Sequence, residues 1–159
     1  MTTNIATTKE QSVRLLQCGV DPKTADMCYQ FIDECCNNTD NPICSTPKEQ
    51  YATVSGHGFG DHRIHITPAW SLSALLALLP EKIEGGYWLT IQKCSRAKNE
   101  PVYYGIAYFK CKWDNPEDIS NSTITTLGRL KYFTDRNLIE AVCKMIEWLT
   151  ANNYKLNQL

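Results

Sequence analysis

Three groups of residues in this 159-residue chain could do chemistry. The first is the run His57-Gly-Phe-Gly-Asp61-His62-Arg-Ile-His65, which holds all three histidines of the protein. Imidazoles and carboxylates ligate zinc and other transition metals, and three protein ligands with an open fourth position make a catalytic centre. The spacing argues against one shared ion. If Arg63–Ile66 is a strand, His62 and His65 project from opposite faces, because strand side chains alternate. The run also matches no known metal motif. A Gly-rich loop entering a strand accounts for it more simply. His57, Asp61, His62 and His65 are therefore the metal candidates, and no metal or other cofactor is expected.

The second group is Cys28, Cys35, Cys36 and Cys44, out of eight cysteines in all. Structural zinc sites pair their ligands across short gaps. Here the ligands would be separated by six, zero and seven residues, and vicinal Cys35-Cys36 cannot both reach one ion with good geometry. A disulfide framework needs a secreted setting. The start Met1-Thr-Thr-Asn-Ile-Ala-Thr-Thr has neither the basic nor the apolar part of a signal peptide. The Leu-rich stretch Pro68–Pro80 falls short of the roughly 20 residues that cross a bilayer. Free thiols, a cytoplasmic location and no membrane partner are expected. A Cys–His nucleophile assembled in space stays open, with no thiol singled out.

The third group lies at 87–113. Lys93, Arg96, Lys98, Lys110 and Lys112 face Glu100 alone, and Tyr87, Trp88, Tyr103, Tyr104, Tyr108, Phe109 and Trp113 interleave with them. Sheets bearing aromatics and cations stack and hold single-stranded nucleic acid. Against this, 16 Lys+Arg balance 17 Asp+Glu for a net −1, where a general polyanion binder carries a basic excess. No RNP-type motif is present, and aromatics favour strands for packing alone. Alternation along the second strand sets Tyr104, Tyr108, Lys110 and Lys112 on an outward face. Tyr and Trp bury large areas at interfaces while keeping a polar tip. These four residues are the expected binding surface, for an unknown protein partner or a second copy of the chain; nucleic acid is the alternative and is not favoured.

No G-x-S-x-G, P-loop or dinucleotide fingerprint occurs. Gly56-His-Gly-Phe-Gly60 lacks the flanking strand and helix that a phosphate cradle needs. No catalytic set can be named, so binding is favoured over catalysis, with a metal-dependent enzyme on residues 57–65 the least favoured reading.

The elements that must position these groups follow from caps and periodicity. Hydrophobic residues at 43% and charged residues at 21% fit a folded chain of one domain, 1–159. Thr8 and Gln11 form a capping-box pattern for a helix over 8–19, which Gly19 can end. Asp21-Pro22 caps a second, where Ala25, Cys28, Tyr29 and Ile32 recur at helical spacing over 22–34. Residues 35–60 read as an irregular loop region, apart from a short strand at Tyr51–Val54. Leu72, Leu75, Leu76 and Leu79 predict a helix over 68–79, started by Thr67-Pro68 or Ser71 and stopped by Pro80. Strands are predicted at 86–93 and 102–113, joined as an antiparallel hairpin, and a further one within Thr123–Phe133. Thr134 is the expected cap of a last helix over 135–152. Blocks of helices and strands, without βαβ alternation, indicate an α+β fold with a small antiparallel sheet. The faces of the helices at 71–79 and 135–152 are expected to meet over the hairpin. The core would then include Leu72, Leu75, Leu76, Leu89, Ile91, Phe109, Leu138, Val142, Met145 and Leu149.

Three segments carry a resemblance: Cys18-Gly-Val-Asp-Pro-Lys-Thr-Ala-Asp-Met27, Pro68–Pro80, and Leu138-Ile-Glu-Ala-Val-Cys-Lys-Met-Ile-Glu-Trp-Leu149. In order and spacing they resemble a family of short proteins of gut bacteria, often encoded near phage-like or conjugative-element genes. That family has no assigned reaction. The resemblance covers most of the chain outside 35–60 and implies architecture, since the matched positions are largely caps and apolar stripes.

Overall fold

The computed structural model describes residues 5–32, 41–50, 64–95, 101–114 and 124–158. The fold is α+β. It divides after Leu78 into two compact units.

The first unit opens with α1, Lys9–Gln17. Its capping box forms as expected: the Thr8 hydroxyl accepts from the Gln11 amide at 3.2 Å, and the Gln11 side chain accepts from the Thr8 amide at 2.8 Å. Gly19 then takes φ +85°, a left-handed turn that suits a residue without Cβ.

The helix expected over 22–34 does not form. Asp21 caps only a single 3-10 turn, Pro22–Thr24, and the chain continues as strand β1, Met27–Ile32. Helical spacing and a short apolar run cannot be told apart by periodicity. Here aromatic and β-branched residues and burial on both faces decide for a strand: Met27, Cys28, Tyr29 and Gln30 are all buried. β1 pairs antiparallel with β2, Ile64–Ala69. On its other edge, Cys28 exchanges backbone hydrogen bonds with Ile43.

The expected loop region therefore contributes a bridge. It also holds a helical turn at Pro47–Gln50, capped reciprocally by Thr46 and Glu49. The possible strand at Tyr51–Val54 lies outside the described residues. Pro68 belongs to β2 and not to the next helix. α2, Leu72–Leu78, starts from Ser71, whose hydroxyl accepts from the Ala74 amide.

Trp70 joins these pieces. It is fully buried, and its indole N–H donates to the Thr24 hydroxyl at 2.9 Å. Its backbone exchanges bonds with Thr7, and Tyr29 donates to the Thr7 carbonyl at 2.8 Å.

Among the described residues the second unit is a four-stranded antiparallel sheet, in the order β3-β4-β5-β6, with one helix. The strands are β3 Lys82–Ile83, β4 Tyr87–Cys94, β5 Tyr103–Trp113 and β6 Ile124–Asp135. The predicted hairpin is β4–β5, in unbroken register from Tyr87↔Lys110 to Cys94↔Tyr103. β6 runs through Thr134, so the last helix is capped by Asn137 instead. Its side chain accepts from the Ile139 amide at 2.9 Å, and α3 spans Leu138–Ala151.

α3 packs on the face of β5 that carries Ile106 and Tyr108, both fully buried. Lys144 of α3 reaches Asp135, which pairs with Tyr104 on that same face. Val142, Met145 and Leu149 are fully buried, as expected, and in the first unit so is Leu75. The other expected core residues are less covered: Leu72, Leu76, Leu89, Phe109 and Leu138 are half-buried, Phe109 on the sheet face opposite Ile106, and Ile91 is 40% exposed on β4, whose outer neighbour is only the two-residue β3.

Candidate binding surface

The expected surface divides. Lys110 and Lys112 are exposed and Tyr104 is half-buried. Tyr108 is fully buried, and its hydroxyl donates to the Pro80 carbonyl at 2.7 Å. Burial pushes its phenol well above the ordinary tyrosine range. Tyr108 therefore belongs to the core, because α3 covers the face that alternation had turned outward. Lys110 sits at the end of that face, 5.9 Å from the Tyr87 ring centre.

The opposite face follows directly from register, since paired residues share a face. Lys82 pairs with Trp88, Trp88 with Phe109, and Phe109 with Arg129, making one row across all four strands. The next rows are Thr90–Ala107–Tyr132 and Gln92–Gly105–Thr134, then Cys94–Tyr103. None of these residues carries a carboxylate. Trp88 is 44% exposed, Lys82, Arg129 and Arg136 are exposed, and Phe109, Tyr132 and Tyr103 are half-buried.

The cations lie over the rings. Lys82 is 4.9 Å from the Trp88 ring centre, the Arg129 guanidinium 5.1 Å from Tyr132, and the Arg136 guanidinium 5.6 Å from Tyr103. Each is within the roughly 6 Å over which a ring quadrupole attracts a cation. Arg129 reaches Tyr132 because β6 carries a bulge there: Lys131 pairs with Tyr108 but Arg129 pairs with Phe109. Gly105 lets the Tyr132 ring lie down on the sheet, since a Cβ at 105 would stand 2.7 Å from the ring edge. Gly105, Tyr132 and Arg129 are thus stacked outward from the sheet. A cleft of about 560 Å³ opens where β3 meets the turn after α3, lined by Lys82, Lys155 and Tyr154 among others. Lys82 borders both cleft and face.

The described rows of this surface offer flat apolar rings and fixed positive charge without a carboxylate, and Glu84 lines the cleft beside Lys82. Such a surface suits a partner that is itself flat and anionic.

The remaining candidates fare differently. His57, Asp61 and His62 lie outside the described residues. His65 is exposed on β2, with the Phe31 ring 6.0 Å away. Among the described residues no group of three His, Cys, Asp or Glu side chains could hold a metal ion. Cys18, Cys28, Cys44, Cys94, Cys111 and Cys143 are free thiols, and burial raises the Cys28 thiol above its ordinary value. No helix of the described residues is long and apolar enough to cross a membrane. No protein-family model, curated protein or solved structure matches the chain.

Proposed function

We propose that this chain is a binding module whose working surface is the aromatic and cationic face of the β3–β6 sheet. The observation that carries the reading is the row Lys82–Trp88–Phe109–Arg129, with cations at both ends, rings in the middle and no carboxylate among the described residues of the paired rows. The binding role is the one expected from the sequence; the surface moves to the other side of the sheet. The charge also chooses among partners. Self-association through this face would bring Lys82, Arg129 and Arg136 against their own copies, because a two-fold interface opposes like patches. A partner of opposite charge meets no such repulsion, and complementary fields speed its approach.

The test is a titration of the protein with three polyanions of different backbone: heparin, a glutamate–tyrosine copolymer and a single-stranded oligonucleotide. At least one should bind, and the Trp88→Ala/Arg129→Glu double variant should weaken it tenfold or more. Lys23→Glu, an exposed site in the first unit, should leave it unchanged. If none of the three binds, or if the double variant binds as well as the parent, the face is not the working surface.

A further inference from the structure

We infer that the ligand of this face is single-stranded nucleic acid, a step that rests on the binding reading above and names its partner. Two features of the face point the same way. The rings are spread and not clustered. Trp88 and Phe109 are cross-strand neighbours, Tyr132 lies one row along, and Tyr103 lies three rows along. Rows on one face are about 6.8 Å apart and strands about 4.8 Å apart. The platform therefore measures roughly 15 Å across the strands and 20 Å along them. Rings at such separations cannot all close on one small aromatic molecule, but they can each take a base of an extended strand. Bases stack on aromatic rings and on guanidinium planes alike, so Arg129 over Tyr132 and Arg136 over Tyr103 serve as stacking surfaces as well as charges.

The second feature is where the charge sits. Lys82 flanks one edge of the ring platform, and Arg129 and Arg136 flank the other. A strand whose bases face the sheet keeps its phosphates at the rim, where these cations stand. A duplex offers phosphates but hides its base faces, so the rings would contribute nothing to it. An acidic peptide offers charge without a repeated flat face. The readout is by stacking and charge, with no array of buried donors and acceptors to read base edges, so low sequence preference follows.

The experiment is fluorescence anisotropy of labelled eight-nucleotide oligo-dT and oligo-U, and of an eight-base-pair duplex, with the intact protein across a salt series. The single strands should bind more tightly than the duplex. Three phosphate-neutralising cations give an expected log–log salt slope of about −2, and Arg129→Ala should flatten it by about 0.7. Trp88→Ala should weaken single-strand binding roughly fivefold or more, the range for loss of a stacking ring. Trp88→Phe should restore much of it. Trp88 is exposed enough that its loss does not threaten the fold, and far-ultraviolet circular dichroism checks this for each variant.

Equal affinity for duplex and single strand, or an unchanged affinity in Trp88→Ala, overturns the inference. If the oligonucleotides fail while heparin or the acidic copolymer binds in a Trp88- and Arg129-dependent way, the inference falls and the binding reading stands. If nothing binds, both fall.

Discussion

Tyr108 tests the packing that defines which face of the sheet is free. It is fully buried, and its hydroxyl is bonded to the Pro80 carbonyl. Replacing a buried aromatic by alanine removes its transfer energy and leaves a cavity, for a loss of about 3–5 kcal/mol. Tyr108→Phe keeps the ring and deletes one bond, leaving the Pro80 carbonyl short of a donor; that costs about 1–2 kcal/mol. With a urea m-value of about 2 kcal/mol per molar, the alanine variant should lose about 2 M in its midpoint and the phenylalanine variant about 0.5–1 M. Tyr104→Ala, half-buried on the same strand, should cost less than Tyr108→Ala. The pH dependence gives a second handle. The folded phenol titrates above its ordinary range while the unfolded phenol ionises near pH 10. Above that pH the unfolded state holds fewer protons than the folded one, so this residue makes stability fall by up to about 1.4 kcal/mol per pH unit. Tyr108→Phe should remove that contribution. The assay is urea denaturation followed by far-ultraviolet circular dichroism from pH 7 to 11. A midpoint for Tyr108→Ala within about 0.25 M of the parent would place Tyr108 at the surface and refute the assignment of faces.

Two further outcomes follow from the same geometry. Desolvation pushes the Asp135 carboxyl up, but the 2.8 Å bond from Lys144, with help from backbone amides, outweighs it and holds the group below its ordinary value. Its stabilisation is therefore present at neutral pH and fades as pH falls below about 4. Asp135→Asn should cost up to about 1 kcal/mol at pH 7, a value kept small because both side chains are partly exposed. The gap between the two proteins should narrow as pH falls below about 4, and a gap that does not narrow would rule out the charge as the cause. Among the described thiols reactivity should separate by burial: exposed Cys44 should react with an aromatic disulfide reagent before the others, and buried Cys28 and Cys143 only as the protein unfolds. Peptide mapping of partly labelled protein reads the order, and early labelling of Cys143 would contradict its place in α3.

Local signals were legible where one residue type has one physical use. Thr8 with Gln11, Gly19 after α1, Ser71 before α2, and the apolar stripe of α3 all formed as their chemistry requires. The unbroken β4–β5 hairpin followed from strict alternation. The misreadings came where tertiary pairing outranks local preference. Asp21-Pro22 can start a helix, but Met27–Ile32 is drawn into a ladder with β2, and Cys28 takes a second partner at Ile43. Thr134 can cap, but its backbone is already paired opposite Gly105, so capping waits for Asn137. The box at Thr46 and Glu49, with Pro47 at the first helical position, carried the usual signature and lay inside a segment otherwise read as loop.

The candidate face was harder to read for a different reason. β5 is amphipathic on neither side: Tyr104, Ile106 and Tyr108 alternate with Tyr103, Ala107 and Phe109, so hydrophobicity alone cannot say which set a helix covers. Gly105 and Ala107 were the available clue. Small residues in mid-strand leave room for something to lie over them, and what lies over Gly105 is the Tyr132 ring from the next strand. The cations were invisible to any count along the hairpin, because Lys82 arrives from β3 and Arg129 and Arg136 from the end of the chain that follows it. The sheet order brings them together on rows whose described residues include no carboxylate. A net charge of −1 over 159 residues is therefore no guide to the field at this surface, since the Debye length of about 8 Å at physiological salt confines what a bound strand feels to the nearest side chains.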